Sequence, residues 1–181
     1  MIFTRLLDKQ RLAMTKLLMG VAALSVGTAA GFYLSLRLKR RAAELDQLER
    51  LIDTLMVKIR FSHTQTVRLI EELAESEAYP NLDFLELTLE RCSQGEEFPL
   101  AWKKAVSESN TAINDEEKEL ALSIGTFLGK SDVEGQLALL AAQKQAVSAR
   151  LKLARDEYQR KAPMYRSVSA LVGAGAGIIL L

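Results

Sequence analysis

The sequence predicts an all-α protein, an antiparallel helical bundle in which two long helices bracket about three short ones. It adds an N-terminal transmembrane helix and a C-terminal apolar membrane segment. Three observations lead there. Only three prolines occur and glycine gathers in the apolar ends and at a few junctions, whereas Leu, Ala, Glu, Lys and Gln are plentiful, a mixture that favours helix nearly everywhere. No alternating apolar and polar run bounded by turn residues marks a strand. Two long segments carry apolar residues at three/four spacing, and residues Leu17 to Leu36 contain no Asp, Glu, Lys or Arg.

That uncharged run would reach roughly 30 Å as a helix, the hydrocarbon thickness of a bilayer. Lys16 closes it on one side and Arg37, Lys39, Arg40 and Arg41 on the other, where long basic side chains can snorkel to lipid phosphates. A cleavable signal peptide is the competing reading, since Thr28-Ala29-Ala30 has the small residues of a cleavage site. Phe32, Tyr33, Leu34 and Leu36 prolong the apolar run past that site, and the basic cluster behind it resists translocation, so an anchor is favoured.

The other end repeats the theme. Residues 167–181 carry no charge and follow the interfacial pair Tyr165 and Arg166, but as a helix they would reach only about 22 Å. Insertion then requires a thinned bilayer or packing against the first helix. Each end has a GxxxG spacing, Gly27 to Gly31 and Gly173 to Gly177, which lets helix backbones approach closely in lipid, between the two termini or between two copies. The expected organisation is a flank at 1–16, with Met14 an alternative start; a transmembrane helix at 17–36; a cytoplasmic bundle at 37–163; and a membrane segment at 164–181. Arg155, Arg160, Lys161 and Arg166 precede the last segment, and basic residues at both membrane junctions place the bundle in the cytoplasm.

Within the bundle, Leu45, Leu48, Ile52, Leu55 and Ile59 open a helix expected from Ala42 to about Ser76; Ser62 and Thr66 interrupt its seam before Leu69 and Leu73 resume it. Tyr79-Pro80-Asn81 breaks the run. A short helix is expected from Leu82 to Ser93, closed by Gly95 in a left-handed conformation. Pro99 suits the first turn of the next helix, to about Ser109, which carries the only tryptophan, Trp102. Asn114 with Glu117 reads as a capping box for a helix from Asp115 to about Leu128, stopped by Gly129. Ser131 with Glu134 reads as a second box, opening a helix with Val133, Leu137, Leu140, Val147, Leu151, Ala154 and Tyr158 on one seam and Lys144 as its polar intruder. That helix is expected to reach about Lys161, with Pro163 a kink or break.

Lysine plus arginine (24) nearly balance aspartate plus glutamate (23), which argues against a nucleic-acid binder. One cysteine, Cys92, excludes an internal disulfide, and with His63 alone no His/Cys zinc set can be assembled. His63 lacks a partner at fixed spacing and reads as structural or solvated, and Cys92 as a small buried hydrophobe. Glycine-rich phosphate loops, GxSxG and HExxH are missing, so neither an enzyme nor a cofactor is expected. Two acidic runs, Glu71-Glu72-Glu75-Glu77 and Asp115-Glu116-Glu117-Glu119, lack the glycine and ligand order of a calcium loop and read as solvated surface, the second favourable at a helix N-terminus.

Taken in order, several segments together resemble the stage III sporulation protein AB family over nearly the whole length from Met14. They are Met14-Thr15-Lys16-Leu17-Leu18-Met19-Gly20, Leu48-Glu49-Arg50-Leu51-Ile52, Ala101-Trp102-Lys103-Lys104-Ala105 and Met164-Tyr165-Arg166 before a Gly-rich tail. The most specific is 127–136, Phe127-Leu128-Gly129-Lys130-Ser131-Asp132-Val133-Glu134-Gly135-Gln136, which looks like the family's Leu-Gly-x-Ser-Asp-x-x-x-Gln junction. Lys58-Ile59, where the family usually has Glu-Ile, and Thr64-Gln65-Thr66 depart from its pattern.

The resemblance implies a subunit of the mother-cell to forespore channel, anchored in the outer forespore membrane with its helical domain in the mother-cell cytoplasm. The family is similar to the F-type platform protein of type II secretion systems. By that analogy the expected partners are the sporulation protein AA ATPase and other subunits of the same operon, with homo-oligomerisation open. Trp102, Gly129, Asp132 and Gln136 are expected to set the bundle's geometry and not to bind a ligand. A second reading, a generic membrane-tethered helical scaffold, predicts instead that the two long seams associate between copies.

Overall fold

The computed structural model of the protein describes residues 2–61, 66–130 and 132–180, and within them all side chains except those of 2–21, 23, 24, 166, 170 and 172–180. The described residues form helices and connecting turns, with no strand: α1 (Ile2–Phe61), α2 (Thr66–Ala74), α3 (Phe84–Ser93), α4 (Phe98–Glu108), α5 (Asp115–Phe127) and α6 (Val133–Leu180). The chain divides into two compact units, one of residues 40–155 and one formed by 1–39 with 156–181.

The larger unit has an apolar core. Leu45, Leu48, Leu51, Ile52 and Leu55 of α1 are buried, as are Leu69, Ile70 and Leu73 of α2, Phe84 and Leu85 of α3, and Ala101, Trp102, Ala105 and Val106 of α4. Ala121 and Ile124 of α5 and Leu140, Val147, Leu151 and Ala154 of α6 close it. Every helix thus turns one apolar stripe inward, and each large side chain so buried contributes about 1.5–3 kcal/mol. Between the long helices, α2 packs on α3, α3 on α4 and α4 on α5.

Local signals set the short helices. Gly95 closes α3 at φ +90°, a region open to glycine at no steric cost. Pro99 sits in the first turn of α4, where its missing N–H is not needed. Asn114 caps α5: its side chain accepts from Glu117 N at 2.9 Å and the Glu117 carboxylate accepts from Asn114 N at 3.0 Å.

Of the helix expected over 42–76, α1 holds the part up to Phe61 and α2 begins at Thr66, with residues 62–65 outside the described residues; Phe61 and Val67 are exposed. Two expectations are corrected, those for Pro163 and Val133. Pro163 does not break the last helix, since α6 continues to Leu180. A proline costs one carbonyl its helix partner, a loss that a long helix can absorb. Val133, expected on the seam, is exposed, because packing of α6 begins only a turn later. His63 and Ser131 lie outside the described residues.

The smaller unit is built the other way round. Gly31, Ser35 and Ala162 are buried, whereas Val26, Phe32, Tyr33, Leu34, Leu36, Met164, Val168 and Leu171 are exposed, Val26 and Leu171 to about seven-tenths. A Cβ built on Gly31 would lie 2.0 Å from Ser169 Oγ and 2.6 Å from the Tyr165 carbonyl oxygen, so α1 and α6 touch there through small residues. Gly27, one turn earlier, is half-buried; Gly173 and Gly177 lie outside the described side-chain environments. Among the described residues no helix is long and apolar enough to cross a membrane. Of the spans expected at 17–36 and 164–181, the side chains of 17–21, 23, 24, 166, 170 and 172–180 fall outside the description, as does residue 181.

Candidate functional site

Trp102 organises the middle of the larger unit. It is fully buried on α4, its indole Nε1 donates to the Ala121 carbonyl of α5 at 2.8 Å, and Phe84 meets it edge-on at 5.0 Å with Phe98 tilted at 5.7 Å. The close approach of α5 depends on Gly125, where an added Cβ would stand 2.2 Å from Trp102 Cδ1. The aromatic cluster therefore fixes the α4–α5 spacing and satisfies its one polar hydrogen.

Gly129, Asp132 and Gln136 come together at the α5–α6 junction, one helical turn beyond Gly125 in sequence. Gly129 takes φ +77°, and its N–H donates to Gln136 Oε1 at 3.1 Å. Asp132 precedes α6 as its N-cap: its Oδ1 accepts from Gly135 N at 3.2 Å and its carbonyl from Gln136 N at 3.0 Å. The Leu-Gly-x-Ser-Asp-x-x-x-Gln spacing thus has a mechanical meaning. Glycine turns the chain, aspartate caps the next helix, and glutamine, one turn inside it, reaches back to the turn. A Cβ on Gly129 would also come within 2.7 Å of Thr66 Oγ1, so α2 starts against this turn.

The arrangement that sequence reasoning missed lies at the opposite end of the larger unit, where its chain begins. Glu44 and Glu117 are fully buried carboxylates. Glu44 accepts from Arg40 Nε at 2.8 Å, from the Thr111 hydroxyl, and from the backbone N–H groups of Ala112 at 2.8 Å and Ile113 at 3.3 Å. Glu117 accepts from Arg41 Nε at 3.0 Å and Nη2 at 2.6 Å, a two-pronged pair, and Arg40 also donates to the Asn110 carbonyl. The loop from Asn110 to Asn114 is latched to α1 by two adjacent arginines. A buried ion pair of this kind is held by geometry and added donors, and removing one partner leaves an uncompensated charge.

This corrects two readings. Arg41, expected to reach lipid phosphates, is largely buried on Glu117, whereas Arg40, paired with Glu44, keeps an exposed side chain. Of the second acidic run only Asp115, Glu116 and Glu119 are exposed; Glu117 is at the core. Glu44 stood four residues after Arg40, a helix-face pairing that could be read; the Arg41–Glu117 pair, 76 residues apart, had no local signal. Arg155, expected at a membrane junction, binds Asp46 at 2.5 Å, and the intruder Lys144 binds Asp53 at 2.7 Å. The first acidic run is exposed as expected, with Glu72 paired to Lys58. Cys92 is half-buried, and burial pushes its thiol above the ordinary range. Lys104, by hydrogen bonding, holds the Glu96 carboxyl below its ordinary value. Among the described residues no group of His, Cys, Asp and Glu is placed to hold a metal.

These arrangements define the class: an all-helical bundle whose distinctive polar residues close helix junctions and latch a loop. The family model for stage III sporulation protein AB matches residues 16–181, and the chain belongs to that family. Membership gives it a role in sporulation. No curated protein and no solved structure matches the chain.

Proposed function

We propose that the protein is a membrane-anchored platform subunit of the mother-cell to forespore channel, and that its bundle couples a cytosolic ATPase to the membrane assembly. The bundle faces the mother-cell cytoplasm and the apolar ends lie in the outer forespore membrane. The observation that carries this reading is the inverted packing of the smaller unit, where Gly31 and Ser35 are buried while Val26, Phe32, Leu34, Val168 and Leu171 are exposed. Water penalises that arrangement and lipid favours it, since small residues suit helix contacts in a bilayer and apolar ones suit its hydrocarbon. The bundle acts without catalysis of its own. Junctions closed by Gly129, Asp132 and Gln136 and a loop latched by Arg40 and Arg41 make a stiff body, as transmission of a motor's displacement requires.

The test is co-purification of the full-length protein, reconstituted in lipid nanodiscs, with the sporulation protein AA ATPase, after alkaline carbonate extraction of cell membranes. Retention in the extracted membrane and capture of the ATPase are expected. Release by carbonate would sink the anchor, and an anchored homodimer indifferent to the ATPase would favour a generic tethered scaffold.

A further inference from the structure

A groove of about 370 Å³ opens on α6 in the smaller unit, lined by Tyr158, Gln159, Ala162, Pro163 and Ser167. Gln159, Pro163 and Ser167 lie at successive i, i+4 positions, so they form one row along the helix surface, with Tyr158 and Ala162 as the row beside it. Pro163 lies inside α6 and has no N–H. The Gln159 carbonyl, whose helix donor would be the N–H of residue 163, therefore keeps acceptor capacity on the row that walls the groove. Around it stand the Gln159 amide and the Ser167 hydroxyl, both exposed, and the aromatic ring of Tyr158. Every one of these groups can receive or face a cation that carries N–H bonds. Arg160, exposed, flanks the row and supplies the opposite charge, whereas Lys161 beside it is paired with Glu157 at 2.6 Å.

We infer that this groove is a headgroup site for a phospholipid with a primary ammonium, of the phosphatidylethanolamine class. The ammonium donates to the Gln159 carbonyl and the neighbouring acceptors, and the phosphate two carbons away meets Arg160. The position suits such a ligand. Immediately beyond Pro163 the exposed residues turn apolar, Met164, Val168 and Leu171, so the groove falls where the helix would pass from headgroups to acyl chains. A trimethylated headgroup has no N–H to give, which makes the site selective by chemistry and not by charge alone. The inference rests on the anchoring proposed above.

The experiment uses the full-length protein in vesicles of mixed phosphatidylcholine and phosphatidylethanolamine, with retained lipid counted by native mass spectrometry. Ethanolamine lipid enriched about fivefold over choline lipid is expected, the ratio one net hydrogen bond gives. Pro163→Ala returns an N–H to the helix, fills the Gln159 carbonyl and improves helix propensity, so it does not threaten folding. It should bring the retained ratio down to that of the vesicle. Equal retention of both lipids by the unaltered protein, or enrichment that survives Pro163→Ala, overturns the headgroup site while leaving the anchor standing. Failure of the protein to enter vesicles of either composition overturns both.

Discussion

The two units of this molecule apply opposite rules to the same residue types. In 40–155 the core is built mainly of leucine and isoleucine, though Leu100, Leu139 and Leu153 are exposed, and surface charges pair, with Lys144 on Asp53, Arg150 on Glu116 and Arg155 on Asp46. In 1–39 with 156–181, a glycine, a serine and an alanine are buried and the large apolar side chains face out. Each unit even has its own close-approach glycine, Gly125 against Trp102 and Gly31 against Ser169. In the first case the glycine admits a large aromatic ring, and in the second it brings two helices together with almost nothing between them. The difference teaches that burial must be judged against the solvent a segment was selected for. On the anchoring proposed above, hydrocarbon is the surroundings of the smaller unit.

The largest effect that would break the comparison is in the bundle core. Trp102→Ala should cost about 3–5 kcal/mol, read as a fall in the urea midpoint followed by circular dichroism. A loss under about 1 kcal/mol would mean that the aromatic cluster does not hold the unit together. Next, Glu117→Ala should cost about 3 kcal/mol by leaving Arg41 unpaired, whereas the exposed Glu119→Ala should stay within about 0.5 kcal/mol; equal costs would contradict the burial of one and not the other. The paired glycines sharpen the contrast. Gly125→Ala should overpack against the indole and cost about 1–3 kcal/mol, while Gly31→Ala should leave the bundle's unfolding midpoint unchanged. Trp102 is the only tryptophan, so its fluorescence reports the larger unit alone. The smallest effect is Asp132→Ala, about 1 kcal/mol for loss of the α6 cap, restored in part by Asp132→Asn.

What could be read from the chain, and what could not, follows from distance along it. Asn114 with Glu117, Gly95 and Pro99 act within a turn of themselves, and their helices begin and end where those residues say. The junction motif spans seven residues from Gly129 to Gln136, close enough for its geometry to be anticipated though its bonds were not. By contrast, the capping box that singles out Glu117 from Glu116 and Glu119 says nothing of its burial, which goes with its pairing to Arg41, 76 residues away. Pro163 misled for the complementary reason. Its local preference is to end a helix, and α6 continues despite it.

The latch on Glu44 and Glu117 has a consequence for the order of events during synthesis. Arg41 must wait until residue 117 has left the ribosome, 76 residues later, which at bacterial and eukaryotic elongation rates is about 4–15 seconds. Throughout that interval Arg41 is an uncompensated cation directly behind the apolar run, whereas Arg40 meets Glu44 four residues on. That is when a translocating chain is oriented by such charges. On the anchoring proposed above, Arg41 would work twice, first as a topogenic signal on a nascent chain and afterwards as the clasp of a finished domain. On that same proposal, a variant lacking Glu117 would insert the right way round and only then fail to lock.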